Sequence, residues 1–375
     1  MKVGILYTFK DIIPGGGEKY LFTIAEILSQ EHQVYLLTHH RWDFKSIARK
    51  INVNLDRVHF SILPYGKIKR ILSGLFKKDY DLFITMSNHS YPYLFSQGEK
   101  SILHIQFPFL KKFEGWPVVT IASRFFSFIM LQSYDRVICN SFFTRKWIER
   151  RCGKRLAIDV LYPPCDVEYF TPGNKENRIL SVGRYFVGWH NKKQLEMVII
   201  FKKMVDEGLN GWEYHQVGSI LPGEKHQKYF TKVKELSKGY PIFIHHDVDF
   251  EELRALYAKS KIYWHATGLG EDEEKYPEKM EHFGISTVEA MAAACVPVVI
   301  CRGGQPEIVE HEINGLLWDT EEELKGYTKK LIADENYMRK LSLEAVKRVS
   351  FFSKKNFEKK FFEILAHCEI GEQDQ

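Results

Sequence analysis

The chain has 375 residues, 45% of them hydrophobic and 27% charged, which excludes a disordered chain and a single small domain and suits two globular ones. A net charge of +5 is mildly basic: it suits phosphates or an anionic membrane surface and falls short of a nucleic-acid-binding signature. The six cysteines are scattered, with no C-x-x-C pair and no zinc spacing, so a reducing, cytoplasmic setting is expected.

The opening Met1–Tyr7 is too short an apolar run for a signal peptide and predicts a first β-strand. A glycine-rich turn, Pro14-Gly15-Gly16-Gly17, follows. Leu21, Ile24, Ala25 and Leu28 then stand at helical spacing. Val34–Thr38, Asp81–Thr85 and Arg136–Cys139 predict further strands of the same sheet. The longest apolar stretch, Val118–Leu131, is broken by Ser123 and Arg124 and is expected not to span a bilayer.

Proline clusters at Tyr162-Pro163-Pro164 and Thr171-Pro172-Gly173 predict a linker. The alternation restarts at Ile179–Val182. Strands are predicted near Tyr214–Val217, Ile242–His245, Ile262–His265 and Val296–Ile300, and helices near Lys192–Glu207, Phe250–Lys259 and Thr287–Ala294. A last helix covers Ser353–His367. The expected architecture is α/β: two Rossmann-like domains with a cleft between them, residues 1–170 and 174–350, the first completed by a C-terminal helix at about 352–370.

Three segments carry candidate chemistry. In Glu281–Pro297 two glutamates, Glu281 and Glu289, flank a Phe-Gly turn and the start of a small-residue helix. A helix N-terminus offers free N–H groups to a diphosphate, and a carboxylate can accept from paired sugar or ribose hydroxyls. Ser286 with Glu289 equally fits a capping box, which would make Glu289 structural, and the spacing leaves both readings open. In Gly183–Lys193, Arg184 stands at a strand end and Lys192 and Lys193 at the next helix start, where cations would meet a phosphate or simply face solvent. Gly15-Gly16-Gly17-Glu18 is not G-x-G-x-x-G, so a nicotinamide site is unsupported and a tight turn competes with a ligand loop.

Taken together these segments resemble the retaining GT-B glycosyltransferases of family 4. The resemblance also runs through Asn140–Thr144, Val182-Gly183-Arg184, Gly303–Val309 and Asn314–Leu317. It implies a GT-B fold and transfer of a sugar from a nucleotide diphosphate donor, without a metal or other cofactor, to a glycan, glycolipid or glycoprotein acceptor. It further implies that Arg184 and Lys192, with Lys193 as an understudy, hold the diphosphate and that Glu289 binds the ribose. By the same resemblance Glu281 sits near the transferred sugar, with amides around Phe283, Gly284, Ile285 and Ser286 beside it, and the Gly16–Gly17 loop closes over the phosphates. A nucleotide-sugar epimerase and a non-catalytic sugar- or nucleotide-binding module remain as alternatives.

The family places a histidine of the first domain next to the reacting sugar. Here the segment reads Ser101-Ile102-Leu103-His104-Ile105-Gln106-Phe107-Pro108-Phe109. Aligning Phe-Pro puts Gln106 at the histidine's place, with His104 on the same side of the extended segment; a lone histidine after an apolar run is more often a packed one. Asp247-Val248-Asp249 reads as a helix cap, because Glu252 follows three residues after Asp249. His39-His40 and His245-His246 lack further ligands at metal spacing. Two basic segments, Lys67–Lys78 and Arg145–Arg155, fit either ordinary surface helices or a peripheral membrane contact beside a lipid-linked acceptor. The acidic run Glu271–Glu274 reads as a solvated loop, with a lid or acceptor contact as the sharper reading.

Overall fold

The computed structural model describes residues 1–7, 15–38, 41–62, 78–89, 95–109, 121, 125, 128–152 and 157–370. Most of the basic segment Lys67–Lys78 and the pair His39-His40 lie outside these residues. The chain divides into two compact units: Met1–Pro164 with Lys355–Gln375, and Cys165–Lys354.

The first unit is built on a seven-stranded sheet in the order β3-β2-β1-β4-β5-β6-β7. Its strands are β1 (Lys2–Leu6), β2 (Gln33–Thr38), β3 (His59–Ile62), β4 (Tyr80–His89), β5 (Gly98–Phe109), β6 (Arg136–Cys139) and β7 (Ile158–Val160). Every neighbouring pair runs parallel. Helices α1 (Gly16–Leu28), α2 (Phe44–Lys50) and α3 (Phe142–Cys152) connect strands. The expected spacing on α1 is real: Leu21, Ile24, Ala25 and Leu28 are all buried against the sheet. Ser141 starts α3 by accepting from the Thr144 N–H at 3.0 Å, so part of the Asn140–Thr144 motif is a helix cap.

The second unit carries a six-stranded parallel sheet in the order β10-β9-β8-β11-β12-β13. Its strands are β8 (Glu176–Val182), β9 (Glu213–Val217), β10 (Ile242–His245), β11 (Ser260–His265), β12 (Val296–Ile300) and β13 (Leu316–Trp318). The helices are α4 (Gln194–Asp206), α5 (Glu224–Ser237), α6 (Phe250–Lys259), α7 (Ile285–Ala292), α8 (Gln305–Ile308), α9 (Glu321–Ala333) and α10 (Glu335–Arg348). Interior strands of a parallel sheet are covered on both faces, and all five residues of β12, Val-Pro-Val-Val-Ile, are buried accordingly.

The last helix, α11 (Lys354–Ile370), belongs to the first unit. Phe357, Phe361 and Ile364, at helical spacing, enter the core that holds α1, and Phe357 meets the Tyr20 ring edge-on at 5.1 Å. Burying three large apolar side chains contributes on the order of 5 kcal/mol before entropy is subtracted.

Candidate functional site

The predicted donor residues of the second unit gather beyond the C-terminal ends of its strands, where open α/β sheets present their ligand groups. After β8 the chain turns at Gly183-Arg184. The Gln194 amide pins that turn by donating to the carbonyls of Gly183 and Arg184, each at 3.0 Å. Glycine is required at 183, because a Cβ there would lie 2.6 Å from Lys192 Cγ. It is required again at 218, where a Cβ would lie 2.0 Å from the Gly183 carbonyl oxygen. Lys192 thus passes over bare backbone to reach Glu281, with which it forms a tight ion pair. The Arg184 guanidinium is half-buried and makes no hydrogen bond or ion pair among the described residues. Lys193 takes another course. It is the left-handed residue (φ +56°) that precedes α4, and its amine pairs with Glu271 at 3.0 Å, where Lys279 also binds. The acidic run therefore begins with a residue tied to two lysines.

Glu281 is the most constrained of the candidates. Its side chain is 14% exposed, and its Oε2 accepts from both Lys192 and His265 Nε2, the latter at 2.9 Å. Burial pushes the carboxyl pKa up, but the Lys192 charge and the His265 hydrogen bond outweigh it and hold the group well below the usual carboxylate range. The backbone is fixed from the other side. Gly304 N–H donates to the Glu281 carbonyl at 2.8 Å, and a Cβ on Gly303 (φ +61°) would lie 2.1 Å from that same oxygen. Gln305 completes the buttress by accepting from Thr287 Oγ1 at 2.9 Å and donating to the Phe283 carbonyl at 3.2 Å. The Gly303–Gln305 part of the family-like motif is what holds the Glu281–Ser286 turn.

Helix α7 starts at Ile285, two residues earlier than the apolar pattern suggests, with Gly284 (φ +124°) before it. A Cβ on Gly284 would strike the Gln305 amide at 2.1 Å. Ser286 is therefore inside the helix and not its cap, which removes the capping-box reading of Glu289. Ser286 Oγ accepts from Tyr263 OH at 2.8 Å, and Glu289 accepts from Tyr257 OH at 2.9 Å. The N–H groups of Gly284, Ile285 and Ser286 donate to no group among the described residues. The Phe283 side chain is buried against Phe352. The turn offers an anion three amide donors at the positive end of a helix.

Three histidines surround this centre, and sequence reasoning passed over all of them. His265 is the last residue of β11, and burial holds its pKa below the ordinary value. The His190 pKa falls to about 4 through burial and the nearby Lys192 charge, and that of His282 falls well below normal through burial and His190. The ring centroids of His190 and His282 are 5.6 Å apart. The signal was present: His282 lies inside the glutamate segment, and His265 ends a predicted strand.

In the first unit, Gly17 and Gln106 are neighbours, since a Cβ on Gly17 would lie 2.0 Å from the Gln106 amide nitrogen. Gly16 opens α1. His104 is also on the α1 side, its ring tilted at 33° to that of Tyr20, one helical turn from Gly17, with the centroids 3.8 Å apart. It is fully buried and neither ring nitrogen has a partner, while Gln106 is half-buried. His104 thus has the surroundings of a core side chain. Burial lowers its pKa to about 3.

Asp249 caps α6 by accepting from Glu252 N–H at 2.8 Å. Among the described residues, no three His, Cys, Asp or Glu side chains are placed to hold a metal ion. No helix among them is long and apolar enough to cross a membrane. On α3, Arg145 pairs with Glu149, and Lys146, Arg150 and Arg151 crowd the Trp147 ring.

Known proteins share both halves. Residues 169–348 match the profile of glycosyl transferases group 1, and residues 14–169 match that of Glycosyltransferase Family 4. The mouse alpha-1,3/1,6-mannosyltransferase ALG2 is 26% identical over 211 residues, covering 49% of this chain and 46% of the relative. The Dictyostelium discoideum GDP-Man:Man(3)GlcNAc(2)-PP-Dol alpha-1,2-mannosyltransferase is 24% identical over 247 residues, 61% of this chain and 46% of the relative. The chain thus spans about half the length of these curated relatives. In fold it is similar to a glycosyltransferase from Rickettsia africae (TM-score 0.75, 17% identity, 99% of each chain). It is also similar to Anabaena Alr3699/HepE in complex with UDP (TM-score 0.73, 16% identity, 98% of this chain and 100% of that one). With two parallel Rossmann-like sheets and both profiles matched in order, the fold is GT-B and the chain belongs to the family 4 glycosyltransferases.

Proposed function

We propose that this chain transfers a hexosyl group from a nucleotide diphosphate sugar to a hydroxyl of a glycan or lipid-linked acceptor, with retention at the anomeric carbon. The observation that carries the reading is the pairing of a fixed, ionised Glu281 with three free amides and the Arg184 and Lys192 cations at one end of one sheet.

Arg184, Lys192 and the α7 N-terminus take the diphosphate and stabilise the charge that grows on its β-phosphate as the glycosidic bond breaks. Glu281 accepts from a hydroxyl of the transferred sugar, and Glu289 from the ribose. Tyr257 OH already occupies one lone pair of Glu289 and so orients the carboxylate toward its second partner. The acceptor hydroxyl forms its bond to the anomeric carbon on the face the nucleotide leaves, and its proton passes to the departing phosphate. No step calls for a metal or other cofactor.

A lipid-linked acceptor is supported by the PP-Dol acceptor of the Dictyostelium relative and by the basic surface of α3, which suits an anionic membrane face. The scattered spacing of the six cysteines, with no C-x-x-C pair, suits a reducing, cytoplasmic setting. UDP in the Anabaena structure and GDP-Man in the curated relatives make those two donor classes the first to try.

The test is a thermal-shift and nucleotide-release panel of UDP, GDP and ADP sugars on wild type and Glu289→Ala. One donor class stabilises the wild type by mass action, and the variant needs roughly tenfold more of it. Unchanged donor affinity in Glu289→Ala removes the ribose assignment, and release of free nucleotide only when acceptor is supplied separates transfer from epimerisation.

A further inference from the structure

Two donors hold Oε2 of Glu281, and they differ in how long they can stay. Under the donor reading above, on which this inference rests, the Lys192 ammonium is drawn to the incoming diphosphate. Once it turns, Glu281 loses its ion-pair partner.

His265 has no competing task. Its side chain is 3% exposed, it is the last residue of an interior strand, and its Nε2 lies 2.9 Å from Glu281 Oε2 with Thr267 Oγ1 at 3.2 Å. A carboxylate oxygen only accepts, so the ring nitrogen facing it carries the proton. The other nitrogen, Nδ1, is buried without a partner. Oε1 of Glu281 has no partner among the described residues and is the oxygen left for a sugar hydroxyl.

We propose that His265 is a positioning residue: as the Nε2–H tautomer it keeps Oε2 of Glu281 anchored after Lys192 moves to the diphosphate, so that Oε1 stays placed for a hydroxyl of the transferred sugar. The Gly304 N–H on the Glu281 carbonyl fixes the main chain, and His265 fixes the carboxylate. The family-like segments singled out from the sequence contain the first of these supports and not the second.

The variants His265→Gln and His265→Asn separate positioning from packing. Both are polar and smaller than imidazole, but glutamine carries its amide nitrogen at the reach of Nε2 and asparagine falls short of it. Binding of UDP and GDP is measured by calorimetry, and nucleotide release from UDP-glucose and GDP-mannose gives kcat and KM. We expect His265→Asn to lose roughly tenfold or more in kcat, with nucleotide affinity within about threefold of wild type, and His265→Gln to recover most of the loss. Equal kcat in the two variants, or a nucleotide affinity that falls in step with kcat, overturns the assignment. Nitrogen NMR of the wild-type imidazoles reads the tautomer without any variant; a proton on Nδ1 of His265 overturns it as well. Wild-type protein that neither binds UDP or GDP nor releases nucleotide from either sugar defeats the donor reading itself, and that is seen before a variant is made.

Discussion

His104 and His265 are buried histidines on interior strands of the two sheets, and they have opposite surroundings. His104 lies in the middle of β5, between Met86 and Ile138 on the neighbouring strands, with five more strand residues beyond it. His265 closes β11, and the chain leaves the sheet directly after it. Both rings are desolvated and neutral, and both pKa values are lowered by burial. Only His265 has a charged partner. Burial therefore does not distinguish a core histidine from a site histidine. Distance from the strand's C-terminal end does, because that is where a parallel sheet presents its ligand groups.

The largest effect expected from this contrast is at the partner. Glu281→Ala removes the carboxylate that His265 holds and should lower kcat about 100- to 1,000-fold, read by nucleotide release at saturating donor. Turnover within a few fold of wild type would put the reacting sugar elsewhere. A smaller loss is expected behind it: Gly303→Ala adds a Cβ 2.1 Å from the Glu281 carbonyl at a left-handed backbone, costing about 1–3 kcal/mol of stability. Chemical denaturation of the variant measures that cost, and an unchanged midpoint would mean that the buttress yields freely.

The smallest effect belongs to His104. His104→Leu replaces a buried ring whose nitrogens lack partners, so turnover should not change and stability should hold or rise by about 1 kcal/mol. Its pH dependence has a definite sign. The folded pKa of about 3 lies below the ordinary value near 6.5, so the unfolded chain binds the extra proton first. Wild-type stability from this residue is intact above pH 6.5 and is lost as the pH falls toward 3. His104→Leu should flatten that part of the acid limb in a denaturation series, and a steeper limb would contradict the burial.

The two sheets were legible in the sequence because interior strands of parallel sheets are continuous apolar runs, as at Ile179–Val182 and Val296–Ile300. Two edge strands were not, β3 and β13, of four and three residues, whereas the four-residue edge strand β10 was. The glutamate segment and Arg184 could be found by pattern, because helix starts and strand ends leave marks in sequence. The pairing of Lys192 with Glu281, and of Lys193 with Glu271, could not. Adjacent lysines look alike along a chain, and only the left-handed turn at Lys193 sends their amines apart. His265 ends a predicted strand, but only the fold shows that its Nε2 reaches the Glu281 carboxylate.

The last helix has a consequence for biosynthesis. Tyr20 is made before the second unit, yet Phe357, which closes on its ring, and Phe361, in the same core, are made only after the whole second unit. The usual order, in which N-terminal domains fold first during synthesis, is therefore reversed at the level of completion. The half encoded first is finished last, and its unsealed apolar face is the surface that a nascent-chain chaperone would have to guard.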